Sequence, residues 1–559
     1  MEQLIVVAAA VPFASALMIQ LLGARLGRSA ARLSVGAISV TFVAAAGALF
    51  LALTGHAPTQ FALAGHWGIF LFDPLSTLMG VVISGISLIV HVYSVRYMAE
   101  EPGYPRFFVL LDLMTGTLLV MVSAGDLITL LAAWHLIGVL LYFLLGHDGR
   151  SHLAHRYASW TLITYRLGDL PLVLAAGLLY HAYGTWSLPR IFAEIGANPL
   201  GHSFLGMPLP EVVATLVALA AFARSAQFLL HTWLPYTMSG PTPVSALMHA
   251  GIVNAGGFLI NRFAPVFVHT TDVLPSVFIV GLVTALIGSS LMLTQNDIKK
   301  SLGYSTMGQM GFMIMECGVG AFALAIFHLI SHGLFKGTLF LGSGGVIHTA
   351  REDDGVPKDE IYTFVVEKRP ARTRKPWILM AAITLIVPVT ILMAAHFLVS
   401  QDYFQEQGAI VLLFFGWVTG AQLIFATYRM RAQNFWRLAV LSISSFAVVV
   451  VGYTLISHAF ELFLYPDAAF RRLLFAAAGI NLVRFDLLVG LVTVLIVAGW
   501  VFTYYSENNG RRHARRSGRL WLTLYVLGSR EFYLTDLYTR LARGLVATAM
   551  RLNVWMRWV

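Results

Sequence analysis

Cysteine is almost absent from these 559 residues: Cys317 stands alone, which excludes an intrachain disulfide and any multi-cysteine zinc or iron–sulfur site. Charge is nearly as scarce, with Asp, Glu, Lys and Arg making up 11% of the chain against about 25% in an ordinary soluble protein. A polar stretch long enough to form a soluble domain is missing too. What remains is 58% hydrophobic with a mean hydropathy of +0.76, the composition of a polytopic integral membrane protein. Allowing roughly 20 apolar residues per span gives about fifteen transmembrane helices joined by short connections, so the expected fold is all-α and membrane-embedded.

The formal charge of +10 points at first to nucleic acid, but the arginines fall between spans, where chain orientation and anionic lipid account for them. Nucleic-acid binding is therefore excluded. The first span begins at residue 3 with no basic region before it and no small-residue cleavage site, which reads as a retained helix rather than a signal peptide.

Basic gaps alternate with gaps poor in lysine and arginine. The basic ones carry Arg25, Arg28 and Arg32; Arg96 and Arg106; Arg150 and Arg156; Lys299 and Lys300; the 349–376 loop; Arg429, Arg431 and Arg437; and Arg511 to Arg519. The intervening gaps lie near 55–68, 124–126, 183–210 and 400–408. Since positive loops stay in the cytoplasm, the N-terminus is expected in the periplasm and the C-terminus in the cytoplasm of a bacterial inner membrane. The gap at 458–484, with Arg471, Arg472 and Arg484, runs against this pattern.

Within the apolar sequence, the block from Arg224 to Gly257 holds an arginine, two histidines, Pro235, Pro241 and Pro243. Proline removes a backbone donor and a buried cation is costly in hydrocarbon, so the block reads as a place where helices break to line a polar route. Kinks that serve packing alone, with an arginine snorkelling to the interface, remain an alternative. His328, His332 and Lys336 are spaced four residues apart, so on a helix they form one stripe about 12 Å long, a ladder of protonatable groups. The His-x3-His spacing also suits a metal, but no third ligand with a recognisable motif accompanies it. His249 follows the prolines, and Lys299 starts a helix as either an entrance or a topology signal. His135 follows Trp134 in a span over about 127–146. Arg166 and Asp169 lead into a further span as an ion pair or as part of a route. After residue 505 the tail turns basic and then amphipathic, with Leu537, Leu541, Leu545, Leu552 and Trp555 at roughly helical spacing. Such a helix docks a partner or lies on the membrane.

The wording from Phe228 to Arg262, and from Asp297 through Tyr304-Ser305-Thr306-Met307 to Lys336, resembles the proton-translocating, antiporter-like subunits of respiratory complex I and of Mrp antiporters. The resemblance covers roughly residues 65–350. It implies two inverted five-helix repeats with discontinuous helices, and a buried chain of lysines, histidines and a glutamate that moves protons. The chain divides on that basis into N-terminal helices (1–105), a first repeat (106–265), a second repeat (272–427), C-terminal helices (436–506) and a cytoplasmic tail (507–559).

The departures narrow the likeness. Where the family has its membrane glutamate after Gly-Trp, this chain reads Ala133-Trp134-His135; where the family has the broken-helix lysine, it has Arg224. An arginine stays protonated and cannot hand on its proton. The second repeat lacks the family's lysine near 377–399, which holds only Pro388 and His396. The long lateral helix and extra terminal span are also missing, which argues against membership of a respiratory complex. These features are similar to the DabB family of inorganic-carbon transporter subunits. That resemblance implies a cytoplasmic zinc partner of the DabA type, resembling a β-carbonic anhydrase. Zinc and chemistry would then belong to the partner, with no cofactor in this chain, and cation flow, read here as proton flow, would drive CO2 hydration to bicarbonate in the family's proposed mechanism. The implied path runs through His249, Lys299, His328, His332 and Lys336, with His135 and Arg224 as altered positions. The rival readings are a subunit of a redox-driven pump, an Mrp-type Na+/H+ antiporter and an inert membrane anchor.

Overall fold

The computed structural model describes residues 2–343 (without 57, 65, 66, 238, 239 and 296), 390, 435–479 and 522–556 (without 524). The expected second-repeat span near 377–399, the 349–376 loop, the last span and Arg511 to Arg519 lie outside these.

Helices make up most of the described residues, with two two-stranded hairpins among them. Two long helices, α1 (Glu2–Leu26) and α2 (Ser29–Leu53), lead into the hairpin of β1 (Thr59–Ala64) and β2 (Trp67–Phe72). Then come α3 (Pro74–Tyr97), α4 (Tyr104–Ser123), α5 (Leu127–Leu145) and α6 (His152–Tyr183). Starts are set locally. Asp73 caps α3 in a reciprocal box with Ser76, Asp126 caps α5 through the Thr129 amide, and Ser151 caps α6 through the Ala154 amide. A short surface helix α7 (Leu188–Ala197) and the hairpin of β3 (Ser203–Phe204) and β4 (Met207–Pro208) precede α8 (Leu209–Arg224).

Nine helices among the described residues are long and apolar enough to cross a membrane. Three of the gaps poor in lysine and arginine converge in space: Phe70 bridges Ala124, Asp126 bridges Ser187, and the Asp126 carboxylate accepts from the Ile69 amide at 2.8 Å.

Beyond α8 the chain unwinds over residues 225–237, and helix resumes with α9 (Thr242–Leu247), a π-helical turn at Met248–Ile252, and α10 (Ala255–Arg262). After α11 (Ala264–Phe267), the helices α12 (Val273–Met292) and α13 (Ile298–Gly318) pack closely through Gly281, Gly288, Gly308 and Gly311. Next come α14 (Phe322–Ser343), α15 (Phe435–Leu464), α16 (Ala468–Ala478) and the tail helix α17 (Leu534–Met556).

The four N-terminal spans are pinned by an interior polar knot. Asp112 accepts from Ser15 at 2.7 Å, from Ser34 at 2.6 Å and from His91 Nε2 at 3.0 Å, with every one of these side chains buried. A carboxylate in so apolar a setting is tolerable because three donors from three other helices meet it.

Candidate ion path

The break after α8 is made by the residues that mark it in the sequence. Pro241 and Pro243 cannot continue a helix from the preceding segment, but they suit the first turn of α9, where Pro241 is the N-cap and Pro243 lies just inside. Pro235 is buried within the unwound segment. Ala226 and Leu229 adopt φ of 49° and 73°, a left-handed conformation that neither residue prefers. Freed backbone groups find side chains instead: the Phe228 amide donates to Thr284 Oγ1 at 3.0 Å, and Trp233 Nε1 donates to the Ala223 carbonyl at 3.2 Å. The π turn adds a second irregularity around His249, a form that recurs at functional sites.

Two groups of polar side chains flank this break. The first surrounds the end of α8. Arg224 is 1% exposed, with its guanidinium 4.3 Å from the Trp134 ring and 4.1 Å from that of Tyr165. It donates to the Trp134 carbonyl at 2.7 Å and stands 3.5 Å from Asp169, which Arg166 approaches to 3.0 Å. The sequence suggests that this pair leads into a span; the helix instead begins at its Ser151 cap, so Arg166 and Asp169 sit mid-span. His135 pairs with Arg166 and stands 3.2 Å from Asp169, with its side chain 57% exposed at the outer edge of this group.

The second group lies on α13, α14 and the π turn. His328, His332 and Lys336 do share one stripe of α14, and the two imidazoles are 6.4 Å apart. His328 Nδ1 meets Glu316 at 3.0 Å and its Nε2 meets Gln309 at 2.9 Å. Lys336 donates to Ser305 Oγ at 2.7 Å. His249 is fully buried and stacks on Phe340 at 4.2 Å. The ring nitrogens of His249 and His332 find no hydrogen-bond partner among the described residues. Orphaned buried imidazoles are rare and costly, so these two rings stand out in the interior. Lys299 stands off this line, 3.4 Å from Thr242 Oγ1, which also contacts the Tyr97 hydroxyl at 3.0 Å.

Glycines allow the two groups to flank one break. Gly256 lies against Ser225 and Ala221, and Gly257 against Met313, while Gly251 has open space around it. Asn254 crosses to the Leu329 carbonyl at 3.4 Å. Glu316 was not singled out from the sequence, although a lone carboxylate in the run Met313-Ile314-Met315-Glu316-Cys317 was its visible signal. Among the described residues no group of three or more His, Cys, Asp or Glu side chains is arranged to hold a metal.

Residues 124–421 match the family described as NADH:quinone oxidoreductase/Mrp antiporter, and residues 66–108 match the N-terminal region of complex I chain 5. The chain is 59% identical, over 98% of both chains, to the probable inorganic carbon transporter subunit DabB1 of Halothiobacillus neapolitanus. It is 39% identical over 332 residues, covering 56% of this chain and 50% of the relative, to subunit 5 of the chloroplast NAD(P)H-quinone oxidoreductase of Nephroselmis olivacea. Among solved structures, the Mrp complex of Dietzia superposes with a TM-score of 0.57 at 23% identity, covering 99% of this chain and 60% of that one. The archaeal membrane-bound sulfane sulfur reductase superposes at 0.56 and 17% identity, covering 89% and 96%. These two show the shared fold.

Proposed function

Because this chain belongs to the DabB branch of the NADH:quinone oxidoreductase/Mrp antiporter family, we propose that it conducts protons across the bacterial inner membrane to energise inorganic-carbon accumulation by a cytoplasmic zinc partner of the DabA type. The observation that carries the reading is the buried line of His249, His332 and Lys336 beside the broken helix, continued by His328 and Glu316.

The chemistry follows from the residue types. A neutral imidazole accepts a proton on one nitrogen and releases one from the other, and a desolvated lysine gives up its proton far more readily than one in water. Lys336 on Ser305 holds one end, the two unpartnered rings span the middle, and Glu316 takes the charge at the other end through His328. Lys299 and Thr242 supply the approach from the side expected to be cytoplasmic. Arg224, fixed between two aromatic rings, keeps its charge and acts as a static positive wall. Each proton moving down a 100 mV gradient releases about 2.3 kcal/mol, so a few suffice to bias hydration of CO2 toward bicarbonate.

The test is rescue of a carbonic-anhydrase-deficient strain at ambient CO2 by this chain with its neighbouring zinc subunit. Lys336→Ala and His332→Ala are expected to abolish rescue while the complex still assembles. Full rescue by both variants would leave only a membrane anchor.

A further inference from the structure

Three successive residues at the head of the tail, Glu531, Phe532 and Tyr533, have φ of 56°, 53° and 59°. None is glycine, and each such residue costs about 1–2 kcal/mol unless its surroundings enforce it. The strained turn delivers one side chain into the protein: Glu531, which is 3% exposed. Its Oε2 accepts from the Tyr236 hydroxyl at 2.7 Å and from the Thr535 hydroxyl at 2.6 Å. Lys300 Nζ lies 4.0 Å from Oε1 and 4.4 Å from the centre of the Tyr236 ring, with a third of its side chain reaching solvent.

Tyr236 belongs to the unwound segment between α8 and α9. Deeper in the same segment is His231, fully buried, with neither ring nitrogen partnered among the described residues. Its ring is 6.5 Å from that of Tyr304, and both feel the charge of Glu531. The carboxylate therefore has a cation that touches water beside it, and through Tyr236 it is tied to the segment that carries an imidazole out of water's reach. If docking of the tail were its whole purpose, a glutamine would accept the same hydroxyl bonds without the cost of burying a charge.

We propose that Glu531 is the tail's own contribution to the ion path. Its carboxylate takes a proton from water at the Lys300 edge and passes it to a free ring nitrogen of His231, returning to the anionic form. The tail is on this reading part of the route as well as a handle for a partner, since α17 continues directly from the strained turn. The inference rests on the proton-conducting reading above.

The experiment is proton uptake by vesicles carrying the full-length chain with its co-purifying subunits, driven by a potassium diffusion potential. Trypsin cleavage at Arg540 and Arg543 reports whether the tail is docked. Glu531→Gln is expected to lower uptake by about 100-fold with the tail still protected, and Glu531→Asp to retain part of it. Tyr538→Phe removes a docking bond to the Leu229 carbonyl at 2.6 Å without touching the carboxylate, and is expected to keep wild-type uptake. Wild-type uptake by Glu531→Gln, or an equal loss in Tyr538→Phe, would overturn the proposal. Lys336→Ala in the same assay separates the two readings: if it is silent the conducting role itself fails, and if it alone abolishes uptake only the role of Glu531 does.

Discussion

Arg224 and Asp169 stand 3.5 Å apart in the interior, the arginine 1% exposed and the aspartate 7%. Arg166 shares the same carboxylate at 3.0 Å, so one aspartate answers two guanidinium groups, with the aromatic faces of Trp134 and Tyr165 taking up part of the remaining charge. Removing the carboxylate strands a buried cation. Asp169→Asn is expected to destabilise the protein by about 3–5 kcal/mol. Arg224→Met combined with Asp169→Asn should cost less than the sum of the two single changes, as read by thermal unfolding in detergent.

The knot around Asp112 makes a similar claim for the N-terminal spans. Asp112→Ala leaves the Ser15 and Ser34 hydroxyls and His91 Nε2 without their acceptor and is expected to cost about 3–5 kcal/mol. Asp112→Asn keeps an acceptor and should cost less. Equal unfolding temperatures for Asp112→Ala and the wild type would show that α1 and α2 are held by lipid and apolar packing alone.

Several of these relationships were readable in the sequence and several were not. The stripe of His328, His332 and Lys336 follows from spacing, and the break before α9 from Pro241 and Pro243, because both depend on residues close in the chain. The partner of Arg224 could not be read that way: Trp134 lies 90 residues earlier, and only the packing of α5 and α8 on α6 brings it near. The same holds for Asp112 with Ser15 and Ser34. His135 is singled out because it stands where the family has its membrane glutamate; its partial exposure could not be read from that match, and it fits a helix on which adjacent residues point about 100° apart, with Trp134 buried. The left-handed turn at Glu531 left no trace, since no glycine marks it.

Stability should also depend on pH through His147, in the connection between α5 and α6. Burial, reinforced by the charge of Arg106, holds this imidazole below its ordinary value of 6.5. The unfolded chain then binds a proton that the folded one refuses. The contribution is fully present above pH 6.5 and is lost as pH falls from there toward the folded value. His147→Asn is expected to flatten the unfolding profile below that point, and an unchanged slope would assign the acid sensitivity elsewhere.

The tail has two parts with separate consequences. Its head is tied to this chain by Glu531, by Tyr538 on the Leu229 carbonyl and by Thr539 near Arg156 at 3.4 Å. Farther along α17, Leu541, Leu552 and Trp555 are exposed. Truncation after Arg540 should therefore release the proposed partner subunit while leaving the head docked. Undisturbed co-purification would place the partner on another surface.

If protons pass through Lys336, Lys336→Arg should stop them. Arginine keeps the positive charge and can still donate to Ser305, but it does not surrender a proton near neutral pH. Proton uptake by vesicles bearing the assembled complex is predicted to fall by about 100-fold in Lys336→Arg, as in Lys336→Ala. Uptake at the wild-type rate in Lys336→Arg would contradict the account.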